Sequence, residues 1–157
     1  MSKDVRCKMG DWVAVPLRDT GFSIGLVARG SSGTKSLIGY FFGPKRTVIP
    51  SAEDTRSLSQ NDAVLICRFN YSGIAIGRWP IIYRSTDWDR SPWPNPIFVA
   101  HSPGLKPELR QYSEDDPKVL IFHKYCNEAE AENYPADQCR GYLNMEECLS
   151  DLLEEVS

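Results

Sequence analysis

The sequence predicts an α+β fold that is mainly β: a curved or partly closed antiparallel sheet built from two related hairpins, with a C-terminal helix. Three observations predict it. The stretch Gly21-Phe22-Ser23-Ile24-Gly25 is echoed by Gly73-Ile74-Ala75-Ile76-Gly77. Each copy follows a β-rich run that opens at an aspartate, Asp11-Trp12-Val13-Ala14-Val15 in the first and Asp62-Ala63-Val64-Leu65-Ile66 in the second. Apolar residues then recur at helical spacing near the end, at Met145, Cys148, Leu149, Leu152, Leu153 and Val156.

Trp12 to Leu17 alternates as a strand, with Trp12, Ala14 and Pro16 opposed to Val13, Val15 and Leu17. Arg18-Asp19-Thr20-Gly21 is turn chemistry, and the chain returns through Phe22, Ile24, Leu26 and Val27 to complete the first hairpin. Gly30-Ser31-Ser32-Gly33 is a loop. Leu37 to Phe42 reads as a third strand closed by Gly43-Pro44, and Arg46 to Ile49 as a fourth. Ser51 with Asp54 three residues on has the spacing of a capping box for a short helical turn.

Ala63 to Phe69 has few polar residues, which suits a central strand buried on both faces. After the turn Asn70-Tyr71-Ser72-Gly73, Ile74 to Trp79 is expected to return as the second hairpin. Gly21, Gly25, Gly73 and Gly77 are read as fold-determining, because glycine permits positive φ at the turn and close backbone approach beyond it. Ile81-Ile82-Tyr83 follows Pro80, which predicts a bulge or a change of sheet. Prolines 92, 94, 96, 103 and 107 exclude a helix from Ser91 to Pro107 and leave an irregular strap, with Ile97-Phe98-Val99 as a short strand inside it. Lys118 to Lys124 is apolar on both faces, so an interior strand is expected. Asn127 to Asn133 reads as an exposed acidic helix stopped by Pro135, and Asn144 with Glu147 as the capping box of the last helix.

The 157 residues suit a single domain, 1–157, with a β-rich part over about 8–125 and an acidic, partly helical part over about 126–157. The net charge of −3 hides a split: residues 1–112 carry 15 Lys+Arg against 9 Asp+Glu, and residues 113–157 carry 3 against 12. Such asymmetry concerns partners rather than fold. No apolar run reaches the roughly 20 residues that span a bilayer. The opening MSKDVRCKMGD has no apolar core for a secretory signal. An odd count of five irregularly spaced cysteines suits a reducing compartment, so cytoplasmic residence without membrane association is expected.

The search for chemistry returns little. His123, Cys126, Cys139 and Cys148 are four candidate metal ligands, but their gaps match no zinc-site spacing and no Cys-x-x-Cys occurs, so no metal or other cofactor is expected. His101 reads as a loop residue and His123 as a core histidine; with no nucleophile motif, no catalytic residue is assigned and no enzyme is expected. Arg78, Arg84 and Arg90 interleave with Trp79, Trp88 and Trp93, the pattern of a nucleic-acid-binding β-barrel module. The acidic pI and the absence of an RNA-recognition signature favour instead tryptophans that anchor the strap and arginines that pair with Asp87, Asp89 or the acidic end. A protein interface is the third class, since Trp and Arg are its usual hot spots and an acidic end captures basic partners.

Met9-Gly10-Asp11-Trp12-Val13-Ala14-Val15-Pro16-Leu17, then Gly21 to Val27, resembles the opening of the immunity protein 26 family of bacterial polymorphic toxin systems. Ile76-Gly77-Arg78-Trp79-Pro80-Ile81-Ile82 and Trp93-Pro94-Asn95-Pro96-Ile97-Phe98 are similar to its second block, so the likeness covers about residues 8–100. The resemblance implies a cytosolic antidote that binds a cognate toxin and has no catalysis of its own. Gly10, Asp11 and Trp79 are then fold determinants. The partner surface falls on the strap and the segment leading into it, at Arg84, Trp88, Arg90 and Trp93, and on the acidic end, at Glu128, Glu130, Glu132 and Asp137. If the toxin is a nuclease, the acidic end is expected to mimic nucleic-acid phosphate in its basic cleft.

Overall fold

The computed structural model describes residues 4–154. Among these described residues nine strands form two open sheets, a six-stranded one in the order β5-β1-β2-β3-β4-β9 and a three-stranded one in the order β6-β7-β8. The first hairpin forms as the alternation predicts: β1 (Asp11–Pro16) pairs antiparallel with β2 (Phe22–Arg29) in the register Trp12↔Leu26 to Pro16↔Phe22. Gly21 closes the turn at φ +89°, and a Cβ there would lie 2.6 Å from the Arg46 carbonyl oxygen. Left-handed backbone costs an ordinary residue about 1–2 kcal/mol, and the contact adds to it. Gly21→Ala is therefore expected to lower the free energy of unfolding by at least that amount, read as a lower urea midpoint with the m-value unchanged.

β3 (Ser36–Arg46) is longer than expected. It continues through the cis Gly43-Pro44 bond and takes in Arg46, so no fourth strand follows over 46–49. Its pairing with β4 (Ala63–Asn70) ends at Phe42↔Ala63, so Pro44 faces no partner there and its missing N–H breaks no bond to that strand. β4 is half-exposed rather than central, because only Arg68 and Phe69 find a neighbour on its other flank, in the two-residue β9 (Cys139–Arg140).

The expected return strand over Ile74–Trp79 does not form. The chain turns instead into a single helical turn, α1 (Ser72–Ala75), started by Asn70, whose Oδ1 accepts from Ser72 N at 2.8 Å. In the first copy of the pentapeptide, β1 and β3 offer ladders on both flanks. The second copy has no strand beside it, and local hydrogen bonding wins. Gly73 is needed for space: a Cβ would meet the Tyr142 Cβ at 2.8 Å and the Trp79 ring at 3.0 Å. Gly77 ends the turn at φ +79°. β5 (Ile81–Arg84) then pairs with β1, not β4, with a register shift at Trp12/Val13 close to Pro80, as the proline predicts.

Both faces of the large sheet are covered. On one, Val13, Val15, Val27, Phe41 and Phe69 pack with Ile74, Trp79 and the last helix, α3 (Tyr142–Glu154). Gly25 lets the Phe41 ring lie against the sheet, since a Cβ would stand 2.7 Å from it. On the other face, Trp12, Ile24, Leu26, Tyr40 and Phe42 pack with Trp93 of the strap. Successive residues of β1 thus enter different cores, as strand alternation requires.

α3 begins at Tyr142, two residues before the expected cap. Asn144 sits in the first turn, where its side chain accepts from Arg140 Nη1 at 2.6 Å. Met145, Leu149 and Leu153 form the buried stripe at i, i+4, i+8, whereas Leu152 is exposed and Val156 lies outside the described residues. The Ser51–Asp54 box forms as its spacing predicts, with Ser51 N donating to Asp54 Oδ2 at 2.8 Å ahead of a 3₁₀ turn.

The small sheet joins β6 (Ile97–Ala100), β7 (Glu108–Tyr112) and β8 (Leu120–Tyr125) antiparallel. Phe98 and Tyr112 pack on Ile38 of the large sheet. On the opposite side, Val99 and Leu109 cluster with Cys126 and Ala131, the latter from the one-turn helix α2 (Glu128–Ala131). Asn127 caps α2, accepting from Glu130 N at 2.8 Å.

Candidate protein-binding surface

Much of the acidic end is paired with the chain's own arginines. The Glu146 carboxylate, 7% exposed, accepts from Arg78 Nε at 2.6 Å, Arg78 Nη2 at 2.7 Å and the Trp79 indole N–H at 2.9 Å. Asp137, 1% exposed, takes Arg68 on one oxygen and Arg110 and Tyr112 on the other. Glu114 pairs with Arg29 at 3.0 Å and Arg90 at 3.6 Å. Arg18 gathers Glu147, Asp151 and Glu154 of α3. Half of the twelve acids beyond residue 112 thus neutralise arginines of the β-rich body. Glu128 and Glu132 stay exposed on and beside α2, Glu130 is half-buried, and Glu128 lies 3.6 Å from His101 Nε2. Asp137 is an internal anchor rather than a partner-facing acid, because two guanidinium groups and a hydroxyl already occupy its oxygens.

The strap is likewise more structural than its composition suggests. Trp93 is buried, edge-on to Trp12, Tyr40 and Phe42 at ring-centre distances of 5.7, 5.2 and 5.9 Å. Trp79 is fully buried, and half-buried Trp88 lies over Gly10, where a Cβ would stand 3.1 Å from its ring. None of these rings except part of Trp88 offers a face for stacking a base, so the nucleic-acid reading loses its platform. Arg84 Nη1 reaches the buried Asp11 carboxylate at 3.2 Å, and Lys8 N donates to the same oxygen at 2.9 Å. Burial pushes the Asp11 carboxyl up against the pull of those donors. Arg84, Arg90 and part of Trp88 remain at the surface; Trp93 does not.

A run of exposed apolar residues lies where the sequence pointed to the interior. Every residue of β8 is exposed, and β8 is the edge of the small sheet, paired with β7 alone among the described residues. Val119, Leu120, Ile121, Phe122 and Tyr125 are between 41% and 59% exposed, with Leu105 beside them. Monomeric proteins rarely leave such contiguous apolar surface bare. His123 is no core histidine: it stands on the exposed strand, its Nδ1 3.3 Å from Glu108, whose carboxyl Arg110 holds below the ordinary range. A cavity of about 400 Å³ adjoins the strand, bounded by Gly104 to Pro107 and Cys126 to Glu128. An apolar run on both strand faces looks alike whether it is covered or bare. The signal that marks this one is its lysines, Lys118 and Lys124, since natural edge strands carry lysine against self-pairing.

Among the described residues no group of three His, Cys, Asp or Glu could hold a metal ion. His123, Cys126, Cys139 and Cys148 lie on β8, under α2, on β9 and on α3 respectively. Burial raises the thiols of Cys7, Cys67 and Cys126, whereas Cys139 is exposed. Ellman's reagent is expected to titrate Cys139 first in the native protein, Cys148 more slowly, and the other three only after unfolding.

Residues 8–105 match the family model of immunity protein 26. The chain belongs to the immunity protein 26 family. No curated protein and no solved structure matches it. Membership makes it an immunity protein of a toxin system, with a toxin as its implied partner, and suggests an inhibitor role rather than catalysis. The match spans β1 to β6 and the strap, in agreement with the resemblance read from Met9 to Phe98. β7, β8, α2 and α3 lie beyond it, so the exposed edge of this immunity protein is outside the matched region. No helix among its described residues is long and apolar enough to cross a membrane.

Proposed function

We propose that this immunity protein acts in the cytoplasm as one domain that binds and neutralises a cognate polymorphic toxin, without catalysing a reaction. The observation that carries the reading is the bare apolar strand β8, in a chain where Trp12, Trp79 and Trp93 are buried and half of the terminal acids pair with the chain's own arginines. A surface of that kind is stabilised by covering it with a protein. Glu128, Glu130 and Glu132 at α2, with Arg84 at the end of β5 and Trp88 and Arg90 just ahead of the strap, supply polar groups for the wider contact. Phosphate mimicry toward a nuclease rests on fewer acids than the charge split promised, since Asp137, Glu146 and the Arg18-bound acids are committed.

The test is affinity capture of the tagged protein from its native cells at moderate salt, with protein and nucleic acid both identified. A stoichiometric polypeptide is expected, whose toxic domain arrests growth alone and ceases to do so when this chain is co-expressed. Recovery of RNA or DNA without such a polypeptide overturns the reading in favour of a nucleic-acid-binding module.

A further inference from the structure

We infer that the toxin docks by adding an extended acidic segment to the free edge of β8, as a fourth strand of the small sheet. The inference rests on the immunity reading above and names how its surface is used. Cys126 N donates to Pro107 O at 2.9 Å, and the register continues as Lys124↔Leu109 and Phe122↔Gln111. In an antiparallel ladder alternate residues bond to a given neighbour. Lys124 and Phe122 therefore bond to β7, and His123 and Tyr125 turn their N–H and C=O groups outward, where no strand lies among the described residues. A strand added there gains main-chain bonds, and the apolar side chains on both faces of β8 supply contact area.

Charge decides between occupants. Lys118 and Lys124 lie along the strand with no acid between them, and Lys106 stands with Leu105 and Tyr125 beside a further cavity. Glu108 opposite is tied to Arg110 at 2.6 Å, and Glu128 sits at the end of the strand, bounding the larger cavity. A second copy of this chain would lay one lysine-bearing edge on another, a pairing such lysines oppose. A segment alternating apolar and acidic residues meets both the bare faces and the positive charge.

The experiment uses the toxic domain recovered with the wild-type protein, purified, and measures binding by titration calorimetry and protection by growth. His123→Pro removes an outward N–H and no bond to β7, a place where an edge strand tolerates proline. His123→Ala keeps that N–H and controls for the side chain. The proline variant is expected to bind about 100-fold more weakly, the size of a hot-spot loss, and the alanine variant to bind as wild type. Charge reversal at Lys118 and Lys124 is expected to slow association roughly tenfold at low salt. Should the proline variant misfold, hydrogen exchange of the wild-type His123 and Tyr125 amides decides: both slow in the complex. If the two His123 variants bind alike, or those amides exchange unchanged, strand addition is overturned and the immunity reading stands. If wild type neither binds nor protects, both fall. A concentration-dependent dimer abolished by the proline variant overturns the inference in favour of self-pairing.

Discussion

Trp79→Ala is expected to lower the free energy of unfolding by about 3–5 kcal/mol, read from the midpoint of a urea melt. Trp79 is fully buried between the large sheet and α3, with its ring centre 5.7 Å from Phe69 and 6.3 Å from Phe41. Truncation leaves a cavity that the surrounding β-strands are too constrained to fill. It also takes the indole N–H from Glu146, which sits at 7% exposure with only Arg78 left to answer its charge. Trp79→Phe separates the two contributions. It restores most of the ring and none of the hydrogen bond, so its loss is expected near the 1.5–3 kcal/mol, roughly, of a bond to a charged group. Equal losses for the two variants would show that packing contributes little there.

Asp137→Ala is expected to cost about 3–5 kcal/mol, the penalty for removing one partner of a buried ion pair. The loss is expected to fall unevenly across the molecule. Asp137 Oδ1 accepts from Arg68 Nε and Nη2 at 3.0 and 2.8 Å, and Arg68 belongs to the large sheet. Its Oδ2 accepts from Tyr112 Oη at 2.5 Å and Arg110 Nη1 at 3.3 Å, both on the small sheet. Arg68 also lies 3.9 Å over the Tyr112 ring. Without this carboxylate the two sheets meet chiefly through Ile38, Phe98 and Tyr112. Amides of β6 and β7 are therefore expected to exchange faster than those of β2 and β3, and a uniform acceleration would refute the joint. Burial and then Asp137 hold the Tyr112 hydroxyl above its ordinary range. A folded-state pKa above the unfolded one makes its contribution whole at neutral pH, lost only as pH climbs past about 10 and through the raised value.

The first hairpin, the bulge near Pro80, the irregular strap and the buried stripe of α3 were all legible, because each rests on local spacing or on one residue's backbone chemistry. The second pentapeptide was not. Its glycines permit several backbones, and the choice belongs to the strands that stand beside the first copy and not the second. Charge could be counted but not placed: Arg18 and Glu154 meet across 136 positions, and Arg78 and Glu146 across 68. Asp137 therefore read as a surface acid although it is an interior joint. β8 failed for another reason. Side-chain period separates the faces of a strand, but it carries no information on whether anything covers them.

The docking of α3 also bears on how the chain comes off the ribosome. Val13, Val15 and Phe41 belong to strands made early, yet the cluster that buries them includes Met145, Leu149 and Leu153. At about 5–20 residues per second, the hundred or so positions between them hold that face open to water and to chaperones for seconds or longer. The main core of this immunity protein is thus completed only once α3 has been made, after every strand, so its working supply reflects chains synthesised through α3 rather than chains merely initiated.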